Sequence, residues 1–111
     1  MKKFLAVYLG SGEKMKNWKP DEATMKKGME MWSKWMMDNK DSIVEQGAPL
    51  GKTKRIDANG ISDVSNEMGA YVVVQAESYE AAAKMFENHP HFTVFPGERV
   101  EVMECLPMPK M

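Results

Sequence analysis

Apolar and polar residues change period several times along this chain, and each change marks an element. Over Lys3–Leu9 the period is two: Leu5, Val7 and Leu9 share one side and Phe4, Ala6 and Tyr8 the other, which predicts a strand. Gly10-Ser-Gly12 ends it. Pro20, followed by Asp21 and Glu22, suits the first turn of a helix and the positive end of its dipole. Met25, Met29, Trp32 and Met36 then recur at helical spacing, with Met31 and Trp35 widening the stripe. Gly28 inside that helix costs about 1 kcal/mol against alanine, so close packing is its expected justification. The helix is expected to end near Asn39–Asp41, with Ile43 and Val44 in a short turn that Gly47 stops.

Pro49-Leu50-Gly51 opens a second expected strand over Lys52–Asp57. Asn59-Gly60 signals a tight turn, and the residues up to Asn66 read as loop. Alternation returns over Met68–Ala76, a third strand. Ser78 is the expected N-cap of a helix running through Asn88, with Ala82, Met85 and Phe86 inward. Pro90 forbids its continuation, Val100–Leu106 forms a last strand, and Pro107–Met111 is an irregular tail. The order β-α-β-β-α-β predicts an α+β, ferredoxin-like fold: a four-stranded antiparallel sheet with two helices on one face, residues 1–111 forming one domain.

Helices on one side leave the other face of such a sheet open. With Leu5, Val7, Ala70, Val72, Val74, Val100 and Val102 assigned to the helices, the open face collects Phe4, Ala6, Tyr8, Tyr71, Val73, Gln75, Arg99, Glu101 and Met103. That set is too apolar for water alone and too polar for a dry core. It predicts a homodimer closed sheet against sheet, with room for a small molecule near the interface.

Composition narrows the partners. Residues 1–55 hold 12 Lys/Arg against 7 Asp/Glu and residues 56–111 hold 3 against 9, but the lysines are scattered. A solvated face is expected and no nucleic-acid partner. The single cysteine, Cys105, excludes an internal disulfide and fits a reducing, cytoplasmic setting. MKKFLAVYLG has too short an apolar run, and no small-x-small site, for a secretory signal; no segment approaches the ~20 apolar residues of a membrane span, so no membrane partner is expected. Gly10-Ser-Gly12 is no dinucleotide loop, because Met15 stands where the third glycine belongs.

The only histidines, His89 and His91, flank Pro90. His89 falls at a helix end, where its charged form would meet the negative dipole end. His91 lies beyond the helix and is the candidate general acid/base, imidazole being the side chain that changes charge near neutral pH. With no third ligand the pair predicts no metal site, and no cofactor is expected. Trp32, Trp35 and the methionines read as core, although 12 methionines would give any pocket a soft lining suited to a flat apolar or aromatic ligand.

GAYVVVQAES, ENHPHF, the turn at Pro96-Gly97, ERVEVMECLPMP and the opening KKFLAVYLGS, with a tryptophan-bearing first helix leading to GAPLG, together resemble the YCII-related (DGPF-like) proteins. The resemblance covers nearly the whole chain and implies the dimeric α+β barrel architecture. Two departures stand out. Asn59-Gly-Ile-Ser-Asp63 occupies the place of the DGPF tetrapeptide, and no histidine precedes His89, so the histidine–aspartate dyad of some members does not transfer. The leading expectation is binding of a small, partly aromatic molecule near the dimer interface, lined by Tyr8, Tyr71, Gln75 and Glu101, with His91 at the rim. A cofactor-free isomerase or lyase using His91 and a ligand-free structural dimer are the alternatives, so enzymatic activity is left open.

Overall fold

A computed structural model describes residues 1–109; the end of the expected tail, Lys110 and Met111, lies outside the described residues. Strand β1 (Lys2–Leu9) is followed by a short helix α1 (Gly12–Asn17) and the long helix α2 (Glu22–Asp38). Then come β2 (Ile43–Pro49), β3 (Thr53–Asp57), β4 (Gly60–Val64) and β5 (Met68–Ala76), and the chain closes with α3 (Tyr79–Lys84), α4 (Pro90–Thr93) and β6 (Arg99–Glu104). The main sheet has the order β2-β5-β1-β6 with every neighbouring pair antiparallel. This is the strand order of the split β-α-β unit, and the protein is α+β.

Two expectations are corrected. The second strand of the sheet is Ile43–Pro49, not Lys52–Asp57. IVEQGAP hides its strand character behind Gly47 and Pro49, which an edge strand tolerates because one side of its backbone needs no ladder. Gly47 adopts φ 72° where the register shifts against β5, and a Cβ there would overlap the Tyr71 carbonyl. Lys52–Asp57 instead overlaps β3, which pairs with β4 in a separate hairpin around Asn59-Gly60, so the expected loop after that turn is a strand.

The phase of β1 is also inverted. Phe4, Ala6 and Tyr8 stand opposite Val74, Val72 and Ala70 and share a core with Trp35, Ala82 and Phe86. Leu5, Val7 and Leu9 point to the open face. Aromatic bulk decides this: Phe4 and Tyr8 fill the space beneath two helices that valine and leucine would leave loosely packed.

Local signals seat the helices. Asp21 accepts a hydrogen bond from the Thr24 N–H at 2.8 Å, and Ser78 one from the Ala81 N–H at 3.1 Å, the N-cap role expected of Ser78. Trp35 Nε1 donates to the Met85 carbonyl at 2.7 Å, tying α2 to the end of α3. Gly28 is buried against the Phe95 ring, which a Cβ would overlap, so close approach explains it. Asn88, at φ 57°, turns the chain from α3 into the His89-Pro90-His91 corner.

Candidate functional site

The corner drives His89 under the helices. Its ring is fully buried among Tyr8, Trp32, Trp35 and Phe86, with centroids 4.6–5.9 Å away. Burial, and secondarily the charge of neighbouring His91, lower its pKa from 6.5 to about 4. His89 is therefore neutral at pH 7, and the expected meeting of a charged His89 with a helix dipole does not occur. Its Nδ1 accepts the backbone N–H of His91 at 3.0 Å, capping α4. Because Nδ1 accepts, the proton of the neutral ring sits on Nε2, which lies 3.2 Å from the Tyr8 hydroxyl.

His91 is held differently. Its Nε2 lies 2.9 Å from the Leu9 carbonyl, and a carbonyl only accepts, so Nε2 carries a proton. Gly97 packs flat against the imidazole, and a Cβ there would overlap the ring. Nδ1 has no partner among the described residues, and it is not enclosed, since no buried side-chain nitrogen or oxygen there lacks one. In the neutral ring Nδ1 is an open lone pair.

Tyr8 and His91, with ring centroids 5.2 Å apart, border one cleft of about 170 Å3, together with Met15 of α1, Trp32 of α2, Phe95 and Gly97. It is smaller than the roughly 300–1,000 Å3 of drug-sized pockets and suits a single ring. A recess of about 390 Å3 shares Tyr8, Trp32, Ala70 and Phe95 and extends to Met29 and Met36. A wider groove of about 460 Å3 along the hairpin has no aromatic lining, and Lys54 and Asp63 pair within it. Burial raises the Tyr8 pKa, so its phenol keeps its proton.

The sequence-predicted site residues divide between the two sides of the sheet. Tyr8 and His91 meet in the cleft on the helix side. Tyr71, Gln75 and Glu101 are on the open face, so the single cleft expected to unite them with Tyr8 is corrected by the phase of β1. There Tyr71 donates to Glu45 at 2.8 Å, Gln75 to the Asp41 carbonyl at 3.1 Å, and Glu101 accepts from Arg99 at 2.8 Å. Sequence reasoning took Trp32 for core and passed over Phe95 as a lining residue; only the turn at Pro96-Gly97 hinted at the segment that presses on His91. Among the described residues, no three His, Cys, Asp or Glu side chains gather to hold a metal, and no helix is long and apolar enough to cross a membrane.

An α+β sheet with an aromatic cleft under its helices defines the class of protein. No protein-family model matches the chain, and no curated protein does. Among solved structures it is similar to 5-chloro-2-hydroxyhydroquinone dehydrochlorinase (TftG) from Burkholderia phenoliruptrix AC1100, in complex with 2,5-dihydroxybenzoquinone. That likeness has a TM-score of 0.57 at 17% identity and covers 91% of this chain and 90% of the other. It shows a shared fold.

Proposed function

We propose that this protein binds a small, flat, oxygen-bearing ring in the cleft between β1, α2 and the Pro90–Gly97 segment. One observation carries the reading: His91, which borders the cleft with Tyr8, Trp32 and Phe95, is anchored through Nε2 on the Leu9 carbonyl, so Nδ1 is the ring nitrogen left for a guest. An anchored imidazole presents its lone pair in one direction at little entropic cost, and aromatic walls favour a planar guest. The dihydroxybenzoquinone bound by the similar fold is a ligand of this kind. Titration followed by 1H–15N NMR with 2,5-dihydroxybenzoquinone is expected to shift the Trp32 indole and His91 resonances saturably. Shifts confined to other regions, or none at millimolar probe, would sink the reading.

The same anchoring favours a second reading, a cofactor-free isomerase or lyase. His91 Nδ1 would take a hydroxyl proton from the ligand, leaving an oxyanion, while Nε2–H keeps its hydrogen bond to the Leu9 carbonyl, whose dipole stabilises the imidazolium so formed. His91→Ala is expected to abolish turnover and spare the fold; a variant that retains turnover removes His91 from the chemistry.

We further propose that the chain is a cytoplasmic relative of the YCII-related proteins and that a second copy covers the open face. Leu5, Leu9, Val73 and Met103 form a half-buried to exposed apolar strip there around the buried Val7. Tyr71, Gln75 and Glu101 then belong to that interface, not to the cleft. Sedimentation of the protein as a monomer at micromolar concentration would rule the homodimer out.

A further inference from the structure

We infer that His89 is a positioning residue that makes the Tyr8 hydroxyl a hydrogen-bond donor toward the cleft, so that the ligand atom met by Tyr8 is an oxygen acceptor, a carbonyl or an oxyanion. The inference rests on the cleft reading above and adds the polarity of the guest.

The direction of each bond follows from groups whose roles have no alternative. The backbone N–H of His91 can only donate, so His89 Nδ1 accepts it at 3.0 Å. A neutral imidazole has one proton, which is thereby assigned to Nε2. Nε2–H then donates to the Tyr8 oxygen across 3.2 Å. That contact is the hydroxyl's one hydrogen bond among the described residues, and its own hydrogen is not used in it. Tyr8 borders both the small cleft and the adjoining recess, and its hydroxyl has no second acceptor among the described residues, so its hydrogen is available to a guest oxygen that reaches it. Neutrality of His89 is enforced by its surroundings, since four aromatic rings enclose it and supply no counter-charge. Three polar side chains border the cleft: Tyr8 gives a proton to a hydrogen bond, an unprotonated His91 Nδ1 receives one, and the Glu67 carboxylate is held by Arg99 at 2.9 Å. A guest with a carbonyl or oxyanion and a neighbouring hydroxyl, the hydroxy-carbonyl pattern of a hydroxyquinone or an enol, satisfies both Tyr8 and His91.

The hydrogen-bond assignment is tested without any ligand. Two-bond 1H–15N spectra of the imidazoles at pH 7 are expected to show His89 protonated on Nε2 alone; an Nδ1–H tautomer or a charged His89 overturns the inference. Selectivity is then read with two single-ring probes, 2,5-dihydroxybenzoquinone and its reduced form, 1,2,4,5-tetrahydroxybenzene, without oxygen. The quinone is expected to bind about tenfold more tightly, the scale of one oriented hydrogen bond. His89→Gln, whose side-chain N–H can replace Nε2–H, keeps that preference, whereas His89→Leu lets the hydroxyl turn and reduces it to less than about twofold. A His89→Leu protein that folds and keeps the full preference overturns the positioning role. If neither probe binds, the cleft reading and its selectivity fail together, and the tautomer spectrum still decides the His89 assignment for or against.

Discussion

The two faces of β1 are similar in composition and opposite in consequence. Phe4, Ala6 and Tyr8 are 0%, 0% and 3% exposed beneath the helices, while on the other side Leu5 and Leu9 are only half-buried and Val7 alone is buried. On the enclosed side each bond has a fixed direction, His89 Nδ1 accepting from the His91 N–H and Nε2 meeting the Tyr8 hydroxyl. On the open side Tyr71 donates to Glu45, Gln75 to the Asp41 carbonyl, and Glu101 accepts from Arg99, all at the surface. Exclusion of water makes the difference. A hydrogen bond without solvent competition holds its geometry, and exposed pairs exchange with water at little cost.

The largest test of this contrast is truncation across β1. Phe4→Ala is expected to cost about 3–5 kcal/mol in denaturant unfolding, as for other buried aromatics, against about 1 kcal/mol for Leu5→Ala measured on the monomer. Comparable losses would mean that the faces are not as unequal as their burial.

Acid comes next. The unfolded chain protonates His89 near pH 6.5 and the folded chain only near pH 4, so between those values the unfolded state binds more protons. The His89 contribution is full above about pH 6.5 and is lost as the pH falls toward 4, up to about 3 kcal/mol in all. Unfolding curves measured from pH 7 to 4 should show this slope in the native protein and a flatter one in His89→Gln.

A smaller effect is expected at Gly97. A methyl group there overlaps the His91 imidazole, so Gly97→Ala should loosen the Nε2–Leu9 anchor and weaken 2,5-dihydroxybenzoquinone binding by about tenfold with little change in unfolding midpoint. Unchanged affinity would detach the anchor from binding. Smallest of all, Glu101→Gln on the open face should alter monomer stability by less than about 0.5 kcal/mol and leave probe affinity alone. A marked loss of affinity would return Glu101 to the ligand site.

Much of the fold was legible. Ser78 announced its helix through capping chemistry, Asn59-Gly60 its turn although not the strand that follows, and Met68–Ala76 its strand through period-two alternation; Asp21, expected within the first turn, proves to be the N-cap of α2. Ile43–Pro49 was not, because Gly47 and Pro49 are breakers everywhere except on a sheet edge, and edge position is a tertiary fact. Within the site, His91 and Tyr8 were both singled out from sequence. The sequence reading sets His91 at the rim of a cleft lined by Tyr8, but on the open face of the sheet, whereas the two meet on the helix side. Trp32 and Phe95 offered no sign beyond aromatic character, which core and cleft share.

Period, capping and turn chemistry are local, so the sequence by itself determined β1, the long helix, β5, the start of α3 and the last strand, and with them the α+β class. Which side of β1 faces the helices is not local. Alternation is symmetric under exchange of faces, and only the packing of Phe4 and Tyr8 against Trp35 and Phe86 breaks that symmetry. The same packing buries His89, holds it neutral and brings Tyr8 beside His91, because the energy of an imidazole and its hydrogen bonds depends on what surrounds it in space and not on what precedes it in the chain.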